Sequence, residues 1–150
     1  MSKFEDDTIE HIRTVNSLGE LFCNILKKRL AEHDLSKLNN KEEKEAFESV
    51  LNDTKEEEYG TDAYFAIQKR LKKAVDLHYR NNAHHPEHFI DGINGMNLID
   101  LIEMFLDWAA ATERHKNDNI HKSIDYNKER FDLPDALVNI FHNTANDLYL

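Results

Sequence analysis

This sequence is poor in the residues that crosslink or interrupt a chain. Its 150 residues include one cysteine, two prolines and four glycines. The single cysteine, Cys23, excludes an intramolecular disulfide and fits a reducing compartment. With so little proline and glycine to break them, long helices are the expected secondary structure.

The sequence also lacks a long apolar run and an excess of basic charge. No stretch reaches the roughly 20 apolar residues of a membrane span, and residues 1–7 are too acidic for a signal peptide. The net charge is −10, whereas nucleic acids and anionic membranes bind cationic surfaces. We therefore expect a cytoplasmic protein without a nucleic-acid or membrane partner.

The length and the 40% hydrophobic content favour a single domain, residues 1–150, with its own core. Apolar residues recur at helical spacing, and no strand alternation persists. The predicted fold class is all-α, a bundle of about six helices. Helices are predicted at 9–31 with a bend at Gly19, at 41–58 as a solvated peripheral helix ending at Tyr59-Gly60, at 62–80, at 98–111, as a short helix or loop at 121–131, and from Pro134 with Asp132 as its cap.

Histidine is unusually frequent, and four of the nine histidines lie between positions 78 and 88. His78 continues an apolar stripe and should point inward. His84, His85 and His88 follow in a segment that two asparagines and a proline mark as a loop or helix junction. Imidazole is a common metal ligand, and loops held by rigid helices often carry chemistry. The alternative is an exposed polar loop whose histidines share no role.

A second motif occupies residues 33–37, with the sequence His-Asp-Leu-Ser-Lys. Adjacent side chains do not share a helix face, so His33 and Asp34 can bind one metal only at a helix end or bend. Imidazole with carboxylate suits Zn, Mn, Fe, Co or Ni, and Lys37 adds the positive charge wanted beside a phosphate. His11 flanks the apolar stripe of the first helix, where the alternative role is a partly buried histidine with a hydrogen-bond partner.

The helix predicted at 98–111 is apolar except for one narrow stripe, which holds Asp100, Glu103 and Asp107. Glu103 and Asp107 are four residues apart and repel each other, and burial would increase the cost. Arg114 or a metal ion could supply the compensating positive charge. The alternative is that the stripe faces solvent.

The order of these motifs resembles the HD-domain superfamily of metal-dependent phosphohydrolases. In that all-α superfamily a histidine on the first helix, a His-Asp pair and a later aspartate bind a divalent metal, and two-metal members add histidines. Residues 33–37 also resemble the His-Asp-x-x-Lys variant of some of its phosphodiesterases. More narrowly, the chain resembles a small, uncharacterised group common in phages and bacteria, through residues 33–37, the segment 78–88 ending in His-His-Pro-Glu-His, Asp-Trp at 107–108 and Tyr-Asn at 126–127.

The resemblance implies one or two divalent ions, of Mn, Fe, Co, Ni, Zn or Mg, with Asp34 bridging the pair if there are two. The ligands it implies for the first ion are His11, His33, Asp34 and Asp107. For a second ion it implies His78 and one of His84, His85 and His88.

On this resemblance we expect a phosphohydrolase that cleaves a nucleotide or related phosphate ester through a metal-activated water, in the host cytoplasm if the chain is phage-encoded. Lys37 would neutralise phosphate charge, and Glu103 or a histidine that is not a ligand would move a proton, while Arg80, Arg114 and His88 would help to bind the substrate. Two alternatives stay open: a di-iron oxygenase on the same scaffold, and a non-catalytic acidic helical interaction protein. Exposed apolar surface could support a homo-oligomer.

Overall fold

The computed structural model describes residues 2–51, 62–113 and 119–150. Every regular element in these ranges is helical, which confirms the predicted all-α fold class. The chain forms two compact units, Met1–His33 and Asp34–Leu150, and the predicted single domain stays a prediction. Within the described ranges, no helix has both the length and the apolar character needed to cross a membrane.

The first unit consists mainly of one helix, α1 (Lys3–Ala31). The Ser2 hydroxyl accepts a hydrogen bond from the Glu5 backbone N–H at 3.3 Å, and the Glu5 carboxylate accepts one from the Ser2 N–H at 2.6 Å. This reciprocal pair is a capping box, which starts the helix six residues before the predicted Ile9. The helix is continuous through Gly19.

The second unit begins with α2 (Ser36–Asn39), α3 (Lys41–Leu51) and α4 (Asp62–Asn81), which pack against one another. The prediction that α3 is a solvated peripheral helix is wrong for one of its faces. Glu43 is fully buried and Val50 is only 3% exposed. The predicted helix end at Tyr59-Gly60 lies outside the described residues.

Two short 3₁₀ helices, Pro86–His88 and Gly92–Gly95, connect α4 to α5 (Leu98–Thr112). The histidine-rich segment is therefore a junction between helices, as predicted. Asn97 caps α5, because its side-chain oxygen accepts from the Asp100 backbone N–H at 3.1 Å. Asp100 is buried, and its carboxylate completes the cap by accepting a hydrogen bond from the Asn97 backbone N–H.

The hydrophobic core of the second unit lies between α5, α6 (Ile120–Phe131) and α7 (Asp135–Asp147). Phe105 and Phe141 stack there with ring centroids 5.5 Å apart. The buried members of the core are Met104, Phe105, Ala109, Ile120, Ile124, Leu133, Val138, Phe141 and Ala145. The three helices pack against one another through this core.

The predicted capping role of Asp132 is wrong. Asp132 has a φ of 49°, in the left-handed region, and it ends α6. Pro134 is the residue that precedes the first turn of α7. Aspartate tolerates the left-handed conformation better than most residues, which lets it end a helix in place of glycine.

Candidate metal centre

Four side chains of the second unit converge on one point. Asp34, His78, His84 and His85 each offer one ligand atom, and these atoms all lie within 4.8 Å of one another. His78 and His84 are buried, and the other two are half-buried. All four residues belong to the set predicted from the sequence, although their spacing along the chain reaches 51 positions.

Three separate segments supply these residues. Asp34 lies in the turn before α2, His78 lies in the last turn of α4, and His84 and His85 lie in the loop that follows. Asp34 has a φ of 58°, in the left-handed region that costs a non-glycine residue of the order of 1–3 kcal/mol. Asp34 therefore lies at a sharp bend, which is where the adjacent side chains of a His-Asp motif can bind one metal.

The distances within the cluster fit one ion. The Oδ1 atom of Asp34 is 3.3 Å from Nε2 of His78 and 3.6 Å from Nε2 of His84. The Nε2 atoms of His78 and His85 are 2.9 Å apart. Two ligands of one ion with bonds of about 2.0–2.2 Å lie roughly 2.9–4.2 Å apart, so these spacings match a zinc-like ion.

The far nitrogens of two imidazoles face buried carboxylates. Nδ1 of His78 is 2.7 Å from Oε1 of Glu43, and Nδ1 of His84 is 3.3 Å from Oε1 of Glu103. Glu43 and Glu103 are 0% and 3% exposed. A carboxylate in this position holds the ring proton on Nδ1 and turns the Nε2 lone pair toward the cluster, as in the carboxylate–histidine–metal arrangement of metal proteins.

Glu43 also accepts hydrogen bonds from two further groups. The Ser36 hydroxyl donates to it at 2.8 Å and the Asn81 amide donates at 2.7 Å. Burial raises the pKa of Glu43, but the hydrogen bonds from Asn81, His78 and Ser36 together outweigh that effect, so its pKa lies below the usual value. Glu43 is therefore a buried, ionised carboxylate that joins α2, α3 and α4.

Sequence reasoning missed Glu43 because it lies in a run of charged residues. One signal was available. Glu43, Phe47 and Val50 share a helix face at the spacing i, i+4 and i+7, which places the carboxylate in line with the only apolar stripe of α3.

His85 is neutral at pH 7. Burial, together with the neighbouring His84 and His78, lowers its pKa to about 3 against the opposing effect of Asp107 and Asp34. A neutral imidazole has a lone pair available for a metal without first losing a proton. Its ring also contacts His78 and His84, at centroid distances of 4.8 and 4.1 Å.

Asp107 lies at the edge of the cluster. It is half-buried on α5, and one of its carboxylate oxygens lies within 4.8 Å of a ring nitrogen of His84. Its negative charge also acts on His85. The structure therefore brings Asp107 close to the other predicted ligands of the second unit.

Lys37 holds the second oxygen of Asp34. Its ammonium is 2.6 Å from Oδ2 of Asp34 and 5.6 Å from the centre of the Phe47 ring. The Lys37 side chain is 38% exposed. This ion pair leaves Oδ1 of Asp34 directed toward the histidines and keeps a positive charge beside the cluster, open to solvent.

Other predicted residues lie apart from this cluster. His88 is exposed, and its Nδ1 donates to the backbone carbonyl of Tyr79 at 3.0 Å, at the end of α4. Arg80 is exposed and lines a surface cavity of about 430 Å³, together with Lys73, Asp76, Tyr79 and Glu87.

Three predicted residues fall outside the second unit as described. His11 is an exposed residue of α1, and His33 is a half-buried residue at the end of the first unit. Arg114 lies outside the described residues. The roles assigned to these three residues stay predictions.

Over residues 1–147 the chain matches a protein family described as a family of unknown function (DUF5662). The chain belongs to this family. No curated protein and no solved structure matches the chain. Because the family description assigns no activity, the resemblance to HD-domain phosphohydrolases stays a prediction.

Replacing Glu43 by alanine should lower the free energy of unfolding of the metal-free protein by about 2–5 kcal/mol, because the buried ring of His78 and the donors of Ser36 and Asn81 lose their acceptor. The neighbouring Glu42 is exposed, and Glu42→Ala should change the free energy of unfolding by less than about 0.5 kcal/mol. Urea denaturation in the presence of EDTA measures both values. Equally small losses in the two variants would contradict the buried network.

Proposed function

We propose that the second unit binds one or two divalent transition-metal ions at Asp34, His78, His84 and His85, and that this centre hydrolyses phosphate esters. The observation that carries the proposal is the convergence of one carboxylate and three imidazoles, two of which are backed by buried carboxylates. This nitrogen-rich ligand set suits Zn, Mn, Fe, Co or Ni better than Mg, which prefers oxygen ligands.

A divalent ion in this position supplies Lewis acidity and lowers the pKa of a water molecule toward neutrality. The side chains of the protein bind and orient the ion. The neutral His85 needs no deprotonation before it binds, and Glu43 fixes the tautomer of His78 through a 2.7 Å contact.

Glu103 was predicted to move a proton, but its surroundings favour a positioning role. It is 3% exposed, and its Oε1 atom lies 3.3 Å from Nδ1 of His84. A carboxylate at this depth orients an imidazole ligand and has little access to substrate. We propose Asp107, at the edge of the cluster, as a further ligand.

Lys37 favours a phosphate ester as substrate. Its side chain is 38% exposed, and its ammonium lies 2.6 Å from Asp34, a member of the cluster. A phosphate oxygen that approaches the cluster from solvent would gain a charge-assisted hydrogen bond from Lys37, and this bond strengthens as charge develops during hydrolysis. A nucleotide as substrate and the cytoplasm as compartment are proposals that rest on the resemblance and on the single cysteine.

The first test is the metal content of the purified, untagged protein, measured by mass spectrometry before and after incubation with Mn, Fe, Co, Ni and Zn. With Mn, Fe, Co and Zn we expect one or two equivalents in the wild type and a loss of at least tenfold in Asp34→Ala and His84→Ala. The variants Asp91→Ala and His88→Ala, which change exposed residues outside the cluster, should keep the wild-type content. Equal metal content in all variants, or none in the wild type, would contradict the centre.

The second test is hydrolysis of bis(p-nitrophenyl) phosphate, p-nitrophenyl phosphate and a panel of nucleotides by the metal-loaded protein. EDTA should abolish activity, and Lys37→Ala should lower kcat/KM by about 10²-fold while the metal content is unchanged. Lys41→Ala, which removes an exposed lysine of α3, is the matched control. Metal binding without phosphate release would refute the hydrolase, and oxygen consumption with Fe would point to the oxygenase instead.

A further inference from the structure

A second pair of histidines lies between α6 and α7, on residues outside the cluster described above. The Nδ1 atoms of His121 and His142 are 2.8 Å apart. The two ring planes differ by only 10°, and the ring centroids are 5.1 Å apart. The two nitrogens therefore face each other directly.

Asp125 determines which nitrogen of His142 carries a proton. Nε2 of His142 is 3.2 Å from Oδ1 of Asp125. An ionised carboxylate can only accept a hydrogen bond, so Nε2 of a neutral His142 donates and its Nδ1 presents a lone pair. His121 then donates its Nδ1–H to that lone pair. As with Glu43 and His78, a carboxylate faces one ring nitrogen, and the other ring nitrogen faces the site.

The two helices hold this pair firmly while leaving it open to solvent. Ile124 on α6 and Ala145 on α7 are fully buried, and each lies three residues from one of the histidines. The side chain of His142 is 26% exposed, and Asp125 is 69% exposed. The pair therefore lies at the protein surface, where water can complete the coordination of a bound ion.

We propose that His121 and His142 form a separate binding site for a late first-row divalent ion such as Ni²⁺ or Cu²⁺, with Asp125 as a positioning residue. Imidazole nitrogens suit these ions, which lie at the high-affinity end of the divalent first-row series. The site is independent of the proposed hydrolase.

Binding requires a modest change in the pair. The 2.8 Å between the two nitrogens is the length of a hydrogen bond, and the ion takes the place of its hydrogen atom. Rotation of each ring about its broad terminal torsion turns both lone pairs toward one ion. His121 then carries its proton on Nε2, so both imidazoles remain neutral and no proton is gained or lost.

Equilibrium dialysis of the untagged full chain against Ni²⁺ tests the site. One equivalent of bound Ni²⁺ should be lost in His121→Asn and in His142→Asn and kept in His88→Asn, an exposed histidine that serves as the control. Asp125→Asn should weaken the binding by about 10–100-fold. The Asp34→Ala variant should keep this equivalent, which separates the site from the proposed hydrolytic centre.

Nitrogen NMR of the histidine rings gives a second measurement that does not depend on a variant folding. In the wild-type protein, Ni²⁺ added beyond the amount that the buried cluster binds should broaden the ring signals of His121 and His142 before those of His88. The proposal is overturned if Ni²⁺ binds equally to the wild type and to the His121 and His142 variants. It is also overturned if the rings of His121 and His142 broaden no earlier than the ring of His88.

Discussion

The buried contact between Glu43 and His78 links the fold of the second unit to its candidate site. An ionised carboxylate without solvent needs several donors, and it obtains them from Ser36, His78 and Asn81. These donors come from α2 and α4, so the same contact ties three helices together. It also fixes the ring of His78 with Nε2 toward Asp34. Local stability and metal-ligand geometry therefore depend on one interaction.

Among the described residues, three imidazoles of the two proposed sites have a carboxylate beside the ring nitrogen that faces away from the site, and burial separates these pairs into two kinds. Glu43 with His78 and Glu103 with His84 are almost fully buried, where the low dielectric strengthens a correctly placed contact. Asp125 with His142 is solvent-exposed on its carboxylate side. We expect the buried pairs to support tight binding and the exposed pair to support weaker, exchangeable binding.

Much of this arrangement follows from local sequence pattern. Helical periodicity predicted α4 and α5 to within one residue at either end and directed His78 inward, because an amphipathic stripe fixes which face is buried. The resemblance to HD-domain phosphohydrolases grouped Asp34 with the later histidines. The hydrogen-bond partners of Glu43 and the pairing of His121 with His142 depend on packing between different helices, which no local pattern encodes. The roles of Ser2 and Asp132 were missed because single hydrogen bonds and one backbone angle decide where helices begin and end.

X-ray absorption spectroscopy of the metal-loaded full chain tests the central claim most directly, because it counts the ligand atoms around the ion. With Zn²⁺ or Co²⁺, the account predicts two or three imidazole nitrogens and one or two oxygens at about 2.0–2.2 Å, with the multiple-scattering signal of histidine rings. That signal should weaken in His84→Ala. An ion surrounded only by oxygens, as in water, would contradict the convergence of His78, His84 and His85 on a metal.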